Sequence, residues 1–296
     1  YSHLYNHHIP QKALGQRTPI QAMKDWQDSH PQLFIRQVRN HAGPHTYRLT
    51  TAFASHLYYF SRSRNRENVE VGPFTFIHDN VCIGDDTKIG GWCEIGIPTP
   101  LGDSSPLVVG SSSIIRSHSV LYESSTFGEG LVTGHHVCIR ELTSAGRGLQ
   151  LGSNGDIQGH CTIGDFLRTH RGVHIGQESK IGKYVWMFPE VLLTNDPTPP
   201  SEDIVGPQVE DFVVLCAKST LLPGVTVGAG AVVGAHALVS NHISPGPLAT
   251  GSPAKAVYEA SILRLRSGPS TRAYSWQERF HRGYPDDVVS AWVEDF

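Results

Sequence analysis

Seventeen histidines stand among the 296 residues of this chain, and their spacing matters more to any chemistry than their number. A neutral imidazole, with an unperturbed pKa of about 6.5, suits the removal of a proton from an amine or hydroxyl near neutral pH. Such a step typically supplies about 10²–10⁴ in rate. His118 and His136 are eighteen residues apart, and Asn154 follows after another eighteen. His170 and His174 are four apart, with His160 before them and the pair Asn195 and Asp196 after them. Most of the seventeen must be bystanders, so the useful question is which ones the backbone brings together.

An apolar residue at every sixth position answers it. In "IGDFLRTHRGVHIGQESKIGKYVWMFPEVLLTND", residues 163–196, Ile163, Ile175 and Ile181 share a sixfold register and each precedes a glycine. Neither a helix of period 3.6 nor a strand of period 2 gives that spacing. From Val109 the register runs through Ile115, Leu121, Phe127 and onward to Leu193, and only Thr133 and Thr169 are not apolar. A second register covers Val71 to Ile95 and a third Val209 to Val239. The breaks between them, "IPTPLGDSSPLV" and "DPTPPSEDIVGPQ", are Pro-rich insertions in one array.

One hexad is a short strand plus a turn, and three make a triangular coil of eighteen residues with every sixth side chain inside. The pattern predicts an all-β chain wound as a parallel β-helix. Its twenty-six hexads make between eight and nine coils, roughly 40 Å long at ~4.8 Å per coil. The histidines can then be placed. His118, His136 and Asn154 stack on one face, His170 flanks Thr169 there, and His174 lies at its end before inward-pointing Ile175. His160 takes the corresponding place on the next face. A solenoid also needs its ends covered. Residues 46–66 read as a helical, aromatic lead-in that plugs the first coil. Residues 254–266, with Val257, Ile262 and Leu265 at helical spacing, read as a helical cap, followed by an amphipathic segment ending in "VVSAWVEDF". The expected organisation is an extra N-terminal segment over 1–45, a cap over 46–68, the β-helix over 69–257 and a helical cap over 258–296.

Composition excludes several classes of function. Charged residues are 17% of the chain and the formal net charge is −3, so no basic field argues for a nucleic-acid partner. Five cysteines without a CxxC pair suggest neither a disulfide framework nor a zinc knuckle, and a reducing cytoplasm is the simplest setting. The chain opens at Tyr1 without a charged-then-apolar leader, as expected of a fragment or processed form. Only residues 221–240 approach the length of a membrane span, and their glycines, Pro223 and His236 fit a solenoid better. No membrane partner is expected.

The sixfold residues resemble the [LIV]-G-x-x-x-x repeat of the left-handed β-helix acyltransferases, over roughly residues 69–257. The left hand comes from that resemblance, since the general crossover rule favours the opposite one. "PEVLLTNDP" resembles a subgroup that acts on nucleotide-linked amino sugars, matched at Pro189, Val191, Thr194, Asn195, Asp196 and Pro197. The resemblance implies a loop that reaches an adjoining subunit, a homotrimer, and contact of Asn195, Asp196 and His136 with a sugar acceptor. The same Asn-Asp pair equally fits an Asx-turn that opens a Pro-rich loop. Where that subgroup carries an assisting polar residue, this chain has Gly172. The expected base is therefore His174, with His170 and His160 behind it.

"LPGVTVG" and "GSPAK", residues 222–228 and 251–255, resemble the donor-binding signals of the same enzymes and imply an acyl-CoA donor, acetyl-CoA in the first instance. Ala217, Ser219, Gly234 and Ala235 are candidates for the wall of a pantetheine channel. Lys218, Lys255 and Arg264 are candidates to meet its phosphates. An alternative of another class resembles the γ-carbonic-anhydrase hydratases, in which His135, His170 and His174 would hold Zn²⁺ with one position open. A third is a folded but non-catalytic prism. Residues 5–27 carry no hexad and resemble the C-terminal tail of integrase-like transposases without that family's carboxylate triad.

Overall fold

The computed structural model describes residues 16–29, 47–48, 67–274, 278 and 281–294. The chain divides into two compact units, Tyr1–Thr46 and Tyr47–Phe296. In the first unit a helix spans Pro19–Ser29. Proline suits a first helical position because the N–H it lacks would have no partner there, and the Thr18 hydroxyl accepts from the Gln21 amide just inside the start.

In the second unit every sixth-position residue from Val71 to Val239, through all three registers, is buried in one continuous core. The strands stack coil on coil into three sheets of eight, twelve and nine strands. The first face runs from Val81–Ile83 to Thr226–Val227, the second includes Glu70–Val71 to Val232–Val233, and the third runs from Phe76–Ile77 to Leu238–Val239. Val109 pairs with Phe127 and Phe127 with Ala145, so residues eighteen apart lie in register. Ile83 pairs with Val109 and Ile181 with Val209, so both insertions lengthen a single coil and leave the stack intact. The parallel β-helix expected from the hexads is the architecture.

The two threonines inside the prism have a backbone role. Thr133 Oγ1 accepts from the Arg116 amide at 2.9 Å and Thr169 Oγ1 from the Gly152 amide at 3.1 Å, so each buried hydroxyl is paired. The glycine after an inward residue answers to crowding. A Cβ on Gly134 would lie 2.2 Å from the Ser153 nitrogen of the next coil. Gly134→Ala is therefore expected to destabilise the fold by about 1–3 kcal/mol through forced backbone displacement, measurable by chemical denaturation.

Most bends between faces use one left-handed residue per coil. Between the second and third faces these include Trp92, His118, His136, Asn154, Gly172, Glu190, Lys218 and His236, with φ between 56° and 66°. Asparagine and glycine tolerate that conformation, and larger residues meet a steric cost there. Stacking offsets part of it, with ring centroids 4.4 Å apart for Phe74 and Trp92 and 4.7 Å for His118 and His136.

The expected helical caps are met only in part. Within 46–66 only Tyr47–Arg48 is described, as a strand antiparallel to Glu70–Val71 rather than a helix. The edge of the first coil offers free backbone groups that an extended chain can pair. The rest of that expectation lies outside the described residues. Residues 254–266 form no α-helix either, only a single 3₁₀ turn at Ala260–Ile262. Ala254–Glu259 folds back antiparallel on Pro247–Gly251, which itself continues the second face. Gly251, at φ 101°, permits the reversal, and Val257 and Ile262 remain exposed.

The helix that does form is Asp286–Glu294, with two aspartates in its first turn, where the helix dipole favours negative charge. Val288 and Trp292, four apart, bury one side against the corner ladder Phe166, Tyr184 and Phe212. It covers a lateral edge of the prism. Arg168 anchors this strap by donating to the Arg282 carbonyl at 3.2 Å, and its guanidinium lies 3.8 Å from the centre of the Tyr284 ring.

Candidate functional site

The outward position of the third face stacks Cys138, Asp156 and His174 in successive coils. His174 Nδ1 lies 2.9 Å from Asp156 Oδ2. A carboxylate only accepts, so the imidazole proton sits on Nδ1 and Nε2 is left with a lone pair. Gln158 Nε2 donates to the same Oδ2 at 2.7 Å. Half-burial pushes the Asp156 carboxyl up, yet the hydrogen bonds from His174 and Gln158 more than offset it and hold it below the ordinary carboxylate range. Burial pushes the Cys138 thiol up, and the Asp156 charge adds to this, so it stays protonated and is no nucleophile at neutral pH. His174 is half-buried, with 37% of its side chain exposed. The pair thus faces solvent on a flat wall, ready to accept a proton from a ligand lying against it.

The second insertion leaves the stack beside that wall. Gly176 has no side chain, and Asn195 lies over it, its Cβ 3.3 Å from where a Cβ would stand. Asn195 is thereby brought beside the His174 strand. Asp196 has another task. It accepts from Thr198 N, Ser201 N and the Ser201 hydroxyl at 3.0, 2.8 and 2.7 Å, which shapes the loop and lowers its pKa, the Ser201 hydroxyl contributing most. The Asx-turn alternative describes this residue.

The other expected histidines are spread apart. His170 lies on the second-face side of the Gly172 corner, exposed and stacked on Phe188 at 4.8 Å. His160 occupies the opposite corner of the third face, 3.5 Å from Glu178 Oε1. His136 stacks on His118 along the second-to-third corner. The single face expected to carry His118, His136, His170 and His174 is thus divided, because the left-handed corner at Gly172 separates His170 from His174, only four residues on. Among the described residues no group of three or more histidine, cysteine or carboxylate side chains is arranged to hold a metal ion. His135 is engaged by the Ser117 hydroxyl at 2.8 Å, His170 by Phe188 and His174 by Asp156. The three-imidazole zinc alternative is not assembled.

The donor candidates fall into two groups. Ala217, Lys218 and Ala235 lie along the second-to-third corner, where the His236 amide donates to the Ala217 carbonyl at 3.0 Å. Gly234 abuts Thr250, which pairs with Lys255 across the hairpin. These five gather two to three coils above Gly172, roughly 10–15 Å along the axis. Lys218 is shared with Glu190, at 3.3 Å. Ser219 is fully buried inside the prism and lines no outer channel, because the residue after the left-handed corner points inward. Arg264 stands on a separate hairpin and donates to the Ser261 carbonyl at 2.7 Å.

Sequence reading missed Asp156 and Gln158. The eighteen-residue register that placed the histidines also places Asp156 one coil below His174.

No family model matches the chain. A stretch of 83 residues, 28% of this chain, is 36% identical to the 2,3,4,5-tetrahydropyridine-2,6-dicarboxylate N-acetyltransferase of Staphylococcus aureus, in several strains. The match spans about a third of the length of those relatives, 34%. Among solved structures, the soybean serine acetyltransferase complexed with serine is similar at 30% identity over 33% of this chain and 40% of that one, with a TM-score of 0.31. The UDP-N-acetylglucosamine acyltransferase of Bacteroides fragilis is similar at 16% identity over 74% and 80%, with a TM-score of 0.43. All three are named as acyl or acetyl transferases.

Proposed function

We propose that the protein is an acyltransferase that moves an acyl group from acyl-CoA, acetyl-CoA in the first instance, to an amino or hydroxyl group of a sugar, such as a nucleotide-linked amino sugar. The observation that carries this reading is the His174–Asp156 pair, presented on a flat wall beside the second insertion. His174 Nε2 takes the proton as the acceptor nitrogen or oxygen attacks the thioester carbonyl. The imidazolium, held by Asp156, then returns a proton to the departing thiolate as the carbon–sulfur bond breaks. Backbone amides at the coil corners stabilise the oxyanion, and Asn195 orients the acceptor. The small residues Ala217, Gly234 and Ala235 suit a flat pantetheine arm along the corner, with Lys218 and Lys255 at its phosphate end. Nothing in this reading requires residues 1–45.

The proposed assembly is a homotrimer in the cytoplasm, with the second insertion reaching the neighbouring prism. Among the described residues no helix is long and apolar enough to cross a membrane. Release of CoA thiol from acetyl-CoA tests the activity, with nucleotide-linked amino sugars offered beside serine and a tetrahydropyridine dicarboxylate, the acceptors that the relatives' names suggest. Release that depends on an amino sugar is the expected result. Release with another acceptor alone would move the substrate class, and an inert protein with all of them would leave a non-catalytic prism.

A further inference from the structure

We propose that Gln158 is a positioning residue that fixes the Asp156 carboxylate and, through it, the tautomer and aim of His174. This rests on His174 being the base. Gln158 directly follows the strand Asp156–Ile157, its amide still donating to the Ile175 carbonyl of the next coil, so the extended backbone turns Asp156 and Gln158 to the same side, opposite inward-pointing Ile157. Asp156 and His174 are neighbours across strands. The carboxylate is held from both directions, and both hydrogen bonds fall on the same atom, Oδ2, at 2.7 and 2.9 Å. Two donors on one oxygen leave the carboxylate little freedom to rotate about its Cβ bond. A base needs that restraint. The imidazole can turn about its own Cβ bond, and a carboxylate free to swing would let Nδ1 and Nε2 exchange roles.

Coils above and below carry no equivalent group at the Gln158 position. The residues in line with it are Arg140 and Gly176. Arg140 is committed to Glu141 through contacts of 2.8 and 3.3 Å, and glycine has nothing to donate. The carboxamide is placed only at the coil where the acid of the pair sits. Gln158 moves no proton itself. Its contribution is to keep Nε2, rather than Nδ1, facing the acceptor.

Gln158→Met, close in size and unable to donate, is the test, with Gln158→Ala as a second variant should the first fail to fold. The expected result is a fall in kcat of about tenfold, the scale of one hydrogen bond to a charged group, with KM within about twofold. In an Asp156→Ala background the same substitution should leave kcat unchanged, because the route to His174 has already been cut. A spectroscopic readout needs no substrate. ¹⁵N chemical shifts of His174 in the resting protein should show the proton on Nδ1 in the parent and a mixture of tautomers in Gln158→Met. An unchanged tautomer, or an equal fall in kcat in the Asp156→Ala background, would overturn the proposal. If His174→Ala kept full turnover, the base assignment would fail, and the tautomer measurement would still decide whether Gln158 governs the ring.

Discussion

His174→Ala is expected to lower kcat by roughly 10²–10⁴-fold while leaving KM for acyl-CoA within a few-fold, as the loss of a general base requires. The separation follows from position. His174 lies on the third face, and the candidate donor residues lie two to three coils further on along a corner. Removing the imidazole takes away the proton acceptor without touching the wall on which the donor would lie. The fold should tolerate the change, because the residue next to it, Ile175, is the one inside the prism and His174 is half-exposed. Steady-state kinetics beside a thermal melt check both halves. Unchanged turnover would remove His174 from the mechanism, and a collapsed melting curve would show that the residue is structural. His170→Ala provides the contrast, since His170 stacks on Phe188 across the Gly172 corner and makes no contact with the Asp156 pair. Its loss should leave kcat nearly unaltered.

The prism was legible in the sequence because a single physical demand recurs: each coil turns its three sixth-position side chains into an interior that water cannot reach, beside the residues that follow its left-handed corners. That demand writes itself as Val109, Ile115, Leu121 and their successors. The threonines at 133 and 169 obey it in another way, by pairing with a backbone amide. The turn-back over 254–266 was not legible, although the amphipathic segment after it is helical at Asp286–Glu294. "AKAVYEASILRLR" carries helical spacing, but a sheet edge beside it offers hydrogen bonds along a whole strand, and the reversal at Gly251 delivers the chain to that edge. The site was half legible. Histidine advertises itself, whereas Asp156 and Gln158 are ordinary surface residues until the eighteen-residue register brings one beneath His174 and the pleat sets the other beside it. His160 and His170 showed the reverse failing. Both are close to His174 in sequence, and although His160 was expected on another face, the Gly172 corner turns His170 away as well.

The strongest test of the layered core is at Phe127, fully buried between Val109 and Ala145 in adjacent coils. The small Ala145 makes room for the large ring below it, so volume is shared between layers and not fixed at each level. Phe127→Ala should cost about 3–5 kcal/mol, the sum of lost apolar burial and a cavity that stacked backbones cannot close. At about 2–4 °C per kcal/mol for a domain of this size, the midpoint should fall by roughly 10 °C. Ala145→Phe alone should overpack the same space and destabilise by about 1–3 kcal/mol. The double variant, with the two side chains exchanged, restores the total volume and should be more stable than the sum of the single changes implies, since residues in contact couple. Strict additivity in denaturation would mean that the two do not share a space. Because each coil touches only its neighbours, the loss should also be local. Hydrogen exchange should quicken in the coils around Phe127 and stay slow around Leu215 and Val233, four and five coils along the stack.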